Sequence, residues 1–365
     1  MIVNHVQFDR FRNLKKGEIF FCDGINVIYG ENAQGKTNIL EAIWLFTGAR
    51  SFRGARESEI IAYDSDCAEI KMTFFAEKRE QNAQIRFGKD KDAYLNGVKK
   101  GSPSKFGGVI KGVIFSPDHL SLIKSGPSER RSFIDIAITQ LNPQYSSLLN
   151  RYNRAVTQRN SILKDIRFHS GLDEMLDAYE QQLAVLGAKI VRYRKRYVEL
   201  ICEEAPKIFK GLSAGKEKIE ISYICAAEDE DGLVKLLKES RKEDSLTATT
   251  SVGPHRDDIE VLINGRSARR FGSQGQQRSC VLMLKLCEAE ILYKNSGEQP
   301  IILLDDVMSE LDEQRQDYIL NHLSGRQVFI TCCDKNSIDR MRRGRSFQIK
   351  DGEIFAENEN ADGRK

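Results

Sequence analysis

Residues Gly30-Glu31-Asn32-Ala33-Gln34-Gly35-Lys36-Thr37 have the spacing G-x-x-x-x-G-K-[ST] of a phosphate-binding loop. Glycines let successive backbone N–H groups curl around phosphate oxygens, and a following helix adds the positive end of its dipole. In that setting Lys36 reaches β- and γ-phosphates, and the Thr37 hydroxyl is a ligand for Mg²⁺. Much later, Ile301-Ile302-Leu303-Leu304-Asp305-Asp306 places two carboxylates at the exit of a four-residue apolar run. A buried parallel strand that delivers an Asp beside a P-loop is a Walker B arrangement. Asp305 is expected to hold Mg²⁺ through water, and Asp306 to orient or deprotonate an attacking water. A third element, Ser273-Gln274-Gly275-Gln276-Gln277-Arg278, opens an amphipathic run about thirty residues before that strand. Taken alone, Ser273 reads equally well as a helix N-cap.

The elements that must position these groups follow from pattern. Residues 25–29 form a short apolar strand that meets Gly30, and from Thr37 the positions Ile39, Leu40, Ile43, Trp44 and Phe46 keep helical spacing until Gly48. Residues 2–8, 301–304 and 327–332 read as strands. Asn96-Gly97, Asn264-Gly265 and Asp351-Gly352 each mark a hairpin. Residues 128–212 are poor in Gly and Pro and rich in Leu, Ile, Glu, Lys and Arg. They read as a helical insertion folded back at His169-Ser170-Gly171. Residues 226–250 suggest a short helix flanked by loops, and residues 276–294 a longer one.

The chain of 365 residues is long enough for roughly two domains, and its 30% charged and 40% hydrophobic residues have the balance of a globular protein. A formal net charge of +3 means that any nucleic-acid surface must come from local clustering. The eight cysteines form no C-x-x-C pair, and Cys280, Cys287, Cys332 and Cys333 lie in apolar runs, which suggests reduced, buried thiols. The N-terminus carries charges early and lacks the apolar core of a signal peptide. No stretch approaches the ~18 apolar residues of a membrane span, so a cytoplasmic protein without a membrane partner is expected.

The order P-loop, Ser-x-Gly-Gln, Walker B, then Ser309-Glu310-Leu311-Asp312 resembles the ATP-binding-cassette class, with its signature motif and D-loop. More than two hundred residues separate the P-loop from the signature. That is further than in transporter cassettes, and far short of the coiled coils of SMC-type heads. Five segments in this setting resemble the RecF family of bacterial recombination mediators, over residues 1 to about 355. They are Phe11-Arg12-Asn13, Gly48-Ala49-Arg50-Ser51-Phe52-Arg53, Pro127 with Arg130-Arg131-Ser132-Phe133, Gly253-Pro254-His255-Arg256-Asp257-Asp258, and the Ser273 segment. The resemblance implies an α/β cassette-type ATPase head with a helical second lobe, binding ATP and Mg²⁺. Ser273, Gly275 and Gln276 would complete the nucleotide site of a second copy in an ATP-dependent homodimer. It also implies binding to double-stranded and gapped DNA in repair and replication, with RecR and RecO, to help load RecA.

Departures from the wider class point to a slow ATP-gated switch. The second acidic residue is Asp306 where transporters usually carry Glu. Cys333-Asp334 stands where a switch histidine is expected, and no glutamine follows the strand ending near Phe115. A transporter-type ATPase subunit and a short SMC-type tethering ATPase are the rival readings. For DNA, Arg50, Arg53 and Arg56 flank Phe52, and Arg192, Arg194, Lys195 and Arg196 alternate with Tyr193 and Tyr197. Apart from the resemblance, the second cluster reads more readily as a solvated helix face than as a phosphate contact. The lobes are expected at 1–115 plus 250–357, and at 116–249 with 273–294 packing on it, followed by a disordered tail at 358–365.

Overall fold

The computed structural model describes residues 1–166, 171–333 and 344–357. In chain order the elements begin with β1 (Ile2–Asp9), β2 (Gly17–Phe20), β3 (Ile25–Tyr29), α1 (Lys36–Leu45), β4 (Ala68–Ala76), β5 (Arg79–Phe87), β6 (Asp92–Leu95), β7 (Val98–Lys99) and β8 (Gly112–Phe115). The middle holds α2 (Pro127–Leu141), α3 (Gln144–Asp165), α4 (Asp173–Leu212), β9 (Ile219–Ile224), α5 (Glu230–Thr247), β10 (Asp258–Ile263), β11 (Arg266–Ser267) and α6 (Ala268–Phe271). The last stretch holds α7 (Gln274–Ser296), β12 (Ile301–Leu304), α8 (Glu313–His322), β13 (Val328–Cys332), β14 (Gly344–Lys350) and β15 (Glu353–Glu357).

Two compact units result. One joins Met1–Leu120 to the chain from Val281 onward, and the other is Ser121–Cys280. The first unit has two six-stranded sheets. One runs β2-β1-β4-β5-β6-β7 and is antiparallel throughout. Residues 68–76 alternate strictly between buried and accessible, as one covered face requires. The other sheet runs β15-β14-β3-β13-β12-β8 and is parallel except for the β14–β15 hairpin. Its central strand Ile301–Leu304 is fully buried on both faces, which accounts for an unbroken apolar run. The carboxyl ends of β3, β12, β13 and β8 lie at one edge of this sheet, where ligands of parallel α/β sheets bind.

The second unit is not purely helical. Helices α3 and α4 pack on one another, as the fold-back reading expects, and α5 packs on α4. His169 and Ser170 lie outside the described residues. The helix expected as short runs 18 residues, from an Asp229 N-cap that accepts from Gly232 N. The unit also holds a three-stranded sheet, β11-β10-β9. Here the expected lobe boundary is corrected: residues 250–280 belong to the second unit, because β10 pairs along its length with β9. Helix α7 starts in the second unit and continues into the first. The expected disordered tail, 358–365, lies outside the described residues.

Candidate functional site

Lys36 begins α1, and the loop before it is shaped by left-handed backbone at Gly30 (φ +151), Ala33 (φ +66) and Gly35 (φ +117). A Cβ on Gly30 would sit 2.4 Å from the Ile349 carbonyl, and one on Gly35 would sit 2.7 Å from Leu14 Cδ2. Dihedral freedom therefore requires glycine at both positions, and at Gly30 the backbone contact requires it as well. The β14–β15 turn supports the loop from behind, with Asp351 N donating to Gln34 Oε1 at 2.5 Å. Glu31, Asn32 and Ala33 are exposed at the tip.

Lys36 is only 4% exposed, and its ammonium donates to the carbonyls of Gly30 (2.7 Å) and Glu31 (3.0 Å). A buried ammonium held by loop carbonyls is placed to exchange those partners for anionic oxygens. Thr37 Oγ1 donates to Asp305 Oδ1 at 2.8 Å, and Thr331 Oγ1 reaches the same oxygen at 2.9 Å. Two neighbouring strand ends and the first turn of α1 thus converge on one carboxylate. Burial pushes the Asp305 carboxyl above its usual range and the nearby Asp306 charge adds to this, while the two threonines and Arg53 act in the opposite direction. A carboxylate that is costly to ionise alone, next to a hydroxyl, suits a divalent cation.

Asp306 adopts a left-handed backbone (φ +50), uncommon outside glycine, asparagine and aspartate. That turn lets its N–H donate to Thr331 Oγ1 at 2.8 Å, while its carbonyl accepts from Ser309 Oγ of the D-loop at 2.8 Å.

Several participants were not evident from the motifs. Arg12 forks onto the buried Glu41 of α1 with bonds of 2.9 and 2.7 Å, and Ser51 also donates to Glu41. A hydrogen-bond chain runs from the P-loop tip outward: Asn13 Nδ2 to the Ala33 carbonyl (2.9 Å), Asn38 Nδ2 to Asn13 Oδ1 (2.6 Å), and Arg53 Nη1 to Asn38 Oδ1 (2.9 Å). Cys333 is exposed, not buried as expected. Its sulfur lies 3.7 Å from the Lys36 ammonium and 3.1 Å from Asn32 Oδ1, at the position read from sequence as lacking a histidine. Cys332 is half-buried, and only Cys280 and Cys287 are fully buried among the four cysteines of apolar runs. Asp334 lies outside the described residues. After β8 no glutamine follows; Ser116 Oγ instead meets His119 Nδ1 at 3.0 Å.

The signature residues lie in the second unit as far as Cys280. Ser273 and Gln276 form a reciprocal capping box: Gln276 N donates to Ser273 Oγ (3.2 Å), and Ser273 N donates to Gln276 Oε1 (2.7 Å). Gln276 Nε2 donates further to Glu217 Oε1 at 2.5 Å. The N-cap reading therefore holds for this serine.

The whole chain can be set beside known proteins at this point. A family model described as the RecF/RecN/SMC N terminal domain matches residues 2–354. A "DNA replication and repair protein RecF" of Lachnoclostridium phytofermentans is 38% identical, across 97% of this chain and 99% of the relative. One of Caldanaerobacter subterraneus subsp. tengcongensis is 39% identical, across 98% and 100%. The chain belongs to the RecF family. Solved structures of the recombination mediator RecF in the RecFOR pathway, with ATPrS and with ATP, superpose with TM-scores of 0.92 and 0.91, at 38% identity and 98% coverage of both chains. The Smc head domain of Pyrococcus furiosus shares the fold alone, at TM-score 0.57 and 16% identity.

Within a RecF-family frame the two basic clusters separate. Arg50, Arg53 and Arg56 are all exposed, but Arg53 also donates to Asn38 and comes within 4.0 Å of Glu41. In the second cluster only Arg194 is committed to internal pairing, while Arg192 and Arg196 are exposed and the pairs of Lys195 and Arg196 lie at the surface. Arg194 is buried and forks onto Asp135, Lys195 pairs with Glu228, and Arg196 pairs with Glu199. Neither the phosphate-binding nor the solvated-face reading fits Arg194. Among the described residues no helix is long and apolar enough to cross a membrane.

Proposed function

We propose that this chain is an ATP-dependent DNA-binding switch of recombinational repair and replication, with Mg²⁺ and a slow hydrolytic step. The observation that carries the reading is the convergence of Thr37, Thr331 and Asp305 beneath a P-loop whose buried lysine is held by two loop carbonyls. Solved RecF structures with ATP and ATPrS support ATP as the ligand. When bound, Mg–ATP supplies the phosphoryl group whose loss resets the switch. Lys36 and the P-loop N–H groups, from Gly30 to Thr37, hold the phosphates. Thr37 and Asp305 hold the cation, and Asp306 positions or deprotonates water.

Ser273, Gly275 and Gln276 stand at the exposed start of α7, where they serve the P-loop of a second copy, so a monomer owns only half of each site. Pairing brings two sets of Arg50 and Arg56 to gapped or junction double-stranded DNA. RecR, and through it RecO and RecA, are the protein partners that the RecFOR name supports. Hydrogen bonds from Ala33 through Asn13 and Asn38 to Arg53 give nucleotide occupancy a physical route toward the basic segment.

The test is sizing with and without Mg-ATP. Lys36→Ala should lose ATP binding and the dimer together. Ser273→Arg should bind ATP through its own intact P-loop yet remain a monomer. A Ser273→Arg protein that dimerises like wild type rules out the composite site.

A further inference from the structure

The residues just ahead of the signature carry a feature that the nucleotide reading does not use. Helix α6 is a single turn, Ala268-Arg269-Arg270-Phe271, anchored by the buried Ala268. Phe271 is 71% exposed, and Arg266, Arg269 and Arg270 are exposed around it. Among the described residues none of these three guanidinium groups enters an ion pair. An aromatic ring left mostly in water among cations without ion pairs contributes little to this unit's own packing.

The turn is nevertheless rigidly tied to the signature. Gln277 Nε2 donates to the carbonyls of Ala268 (3.1 Å) and Arg269 (3.4 Å), and Gly272 N donates to Ala268 O at 3.1 Å. A Cβ at Gly272 would approach the Ala268 carbonyl to 2.5 Å, so only glycine permits this closure. Gln277 immediately follows Gln276 of the Ser273 capping box. Whatever surface Ser273 meets, Phe271 and its flanking arginines meet it too.

On the other side of such a contact stands the P-loop face. Its tip exposes Glu31, whose carboxylate makes no ion pair among the described residues. A carboxylate in a phosphate-binding loop is unfavourable on its own and is relieved by cations arriving from outside. In a two-fold assembly the same pair of surfaces meets twice.

We infer that the Ala268–Phe271 turn is a second contact of the ATP-loaded homodimer, with Phe271 as aromatic anchor and Arg269 and Arg270 facing the partner's P-loop and nucleotide phosphates. This rests on the composite-site reading above. Phe271→Ala and the double variant Arg269→Ala/Arg270→Ala should bind Mg-ATP as monomers with an affinity close to wild type. Their dimers at saturating Mg-ATP should be weakened about tenfold or more in sedimentation velocity, as for hot-spot residues. Phe271→Tyr should restore most of the loss. Ser273→Arg is run in parallel. If it too dimerises normally, the composite site itself fails. If it is monomeric while the Phe271 and arginine variants dimerise like wild type, only the present inference is overturned. Normal dimers combined with weaker binding to duplex DNA would make the turn a nucleic-acid contact and overturn it as well.

Discussion

At the site, a single carboxylate oxygen of Asp305 accepts from two hydroxyls, while its neighbour Asp306 has a left-handed backbone and bonds Thr331 and Ser309 through its main chain. The two carboxylates therefore have different tasks, which suggests a discriminating substitution. Asparagine tolerates left-handed backbone as well as aspartate does, so Asp306→Asn keeps the N–H bond to Thr331 and removes only the base. Hydrolysis measured in a single turnover should fall on the order of 10²–10⁴-fold, with ATP binding retained and the ATP dimer longer-lived. Hydrolysis at the wild-type rate would move the catalytic role elsewhere. Lys36, Thr37, Asp305 and Asp306 were readable because each sits in a short local string with a fixed spacing. Asn38, Glu41, Thr331 and Cys333 were not, because their roles arise from contacts made across long sequence separations. Asn13 could have been found: it stands in the Phe11-Arg12-Asn13 string, but nothing local says that it bonds the P-loop.

Among the elements, the second unit depends on a buried charge cluster joining three helices. Arg159 of α3 is fully buried and bonds Glu180 of α4 (2.9 Å) and Asp244 of α5 (2.6 Å). It also donates to Thr250 Oγ1 and the Leu237 carbonyl. Removing this guanidinium leaves Asp244 buried without its cation and Glu180 paired with Arg241 alone. Arg159→Ala should therefore cost about 3–5 kcal/mol, read as a lower denaturant midpoint for this unit. A loss within ~0.5 kcal/mol, the range of a surface change, would mean that the cluster is not what joins these helices. The strands of the parallel sheet were legible because burial on both faces gives unbroken apolar runs. Strands β4 and β9 were legible in principle, since Ala68, Ile70, Met72, Phe74 and Ala76 alternate with accessible residues, as do Ile219, Ile221 and Tyr223. Charged residues at the alternate positions made both stretches resemble polar connections. The length of α5 was underestimated for a similar reason, its apolar positions being few.

For the molecule as a whole, DNA affinity should follow ionic strength through the few arginines that remain outward. Each neutralised phosphate contributes roughly 0.9 to the slope of log K against log salt. Arg50→Ala/Arg56→Ala should flatten that slope without altering ATP affinity. Arg53→Ala should lower ATP affinity too, because its partner Asn38 leads through Asn13 to the P-loop tip. Salt titrations of duplex binding with and without Mg-ATP should also give the dimer about twice the monomer's slope. Indifference of DNA binding to both ATP and these arginines would refute the ATP-dependent DNA-binding switch. The discontinuous first unit was legible from motif order alone. The boundary near residue 280 was not, because the pairing of β10 with β9 is a tertiary choice that Asn264-Gly265 does not announce.

That discontinuity has a consequence on the ribosome. The antiparallel sheet is complete by Lys99, and the second unit by Cys280, so both can form while synthesis continues. Strand β3 lies between β14 and β13, and β8 pairs with β12, so no pairing within the parallel sheet is available until Ile301 has emerged. At ~5–20 residues per second, the apolar strand that leads into the P-loop waits roughly 15–60 s for its neighbours, the nearer of which starts at Val328. The nucleotide site is then the last part of the chain to exist, and a nascent chain cannot engage ATP before nearly all of it has been made. Ribosome-bound chains stalled at residue 296 should fail to be retained on immobilised ATP, whereas chains released after full synthesis should be retained. Capture of the stalled chain would show that the P-loop forms without its sheet.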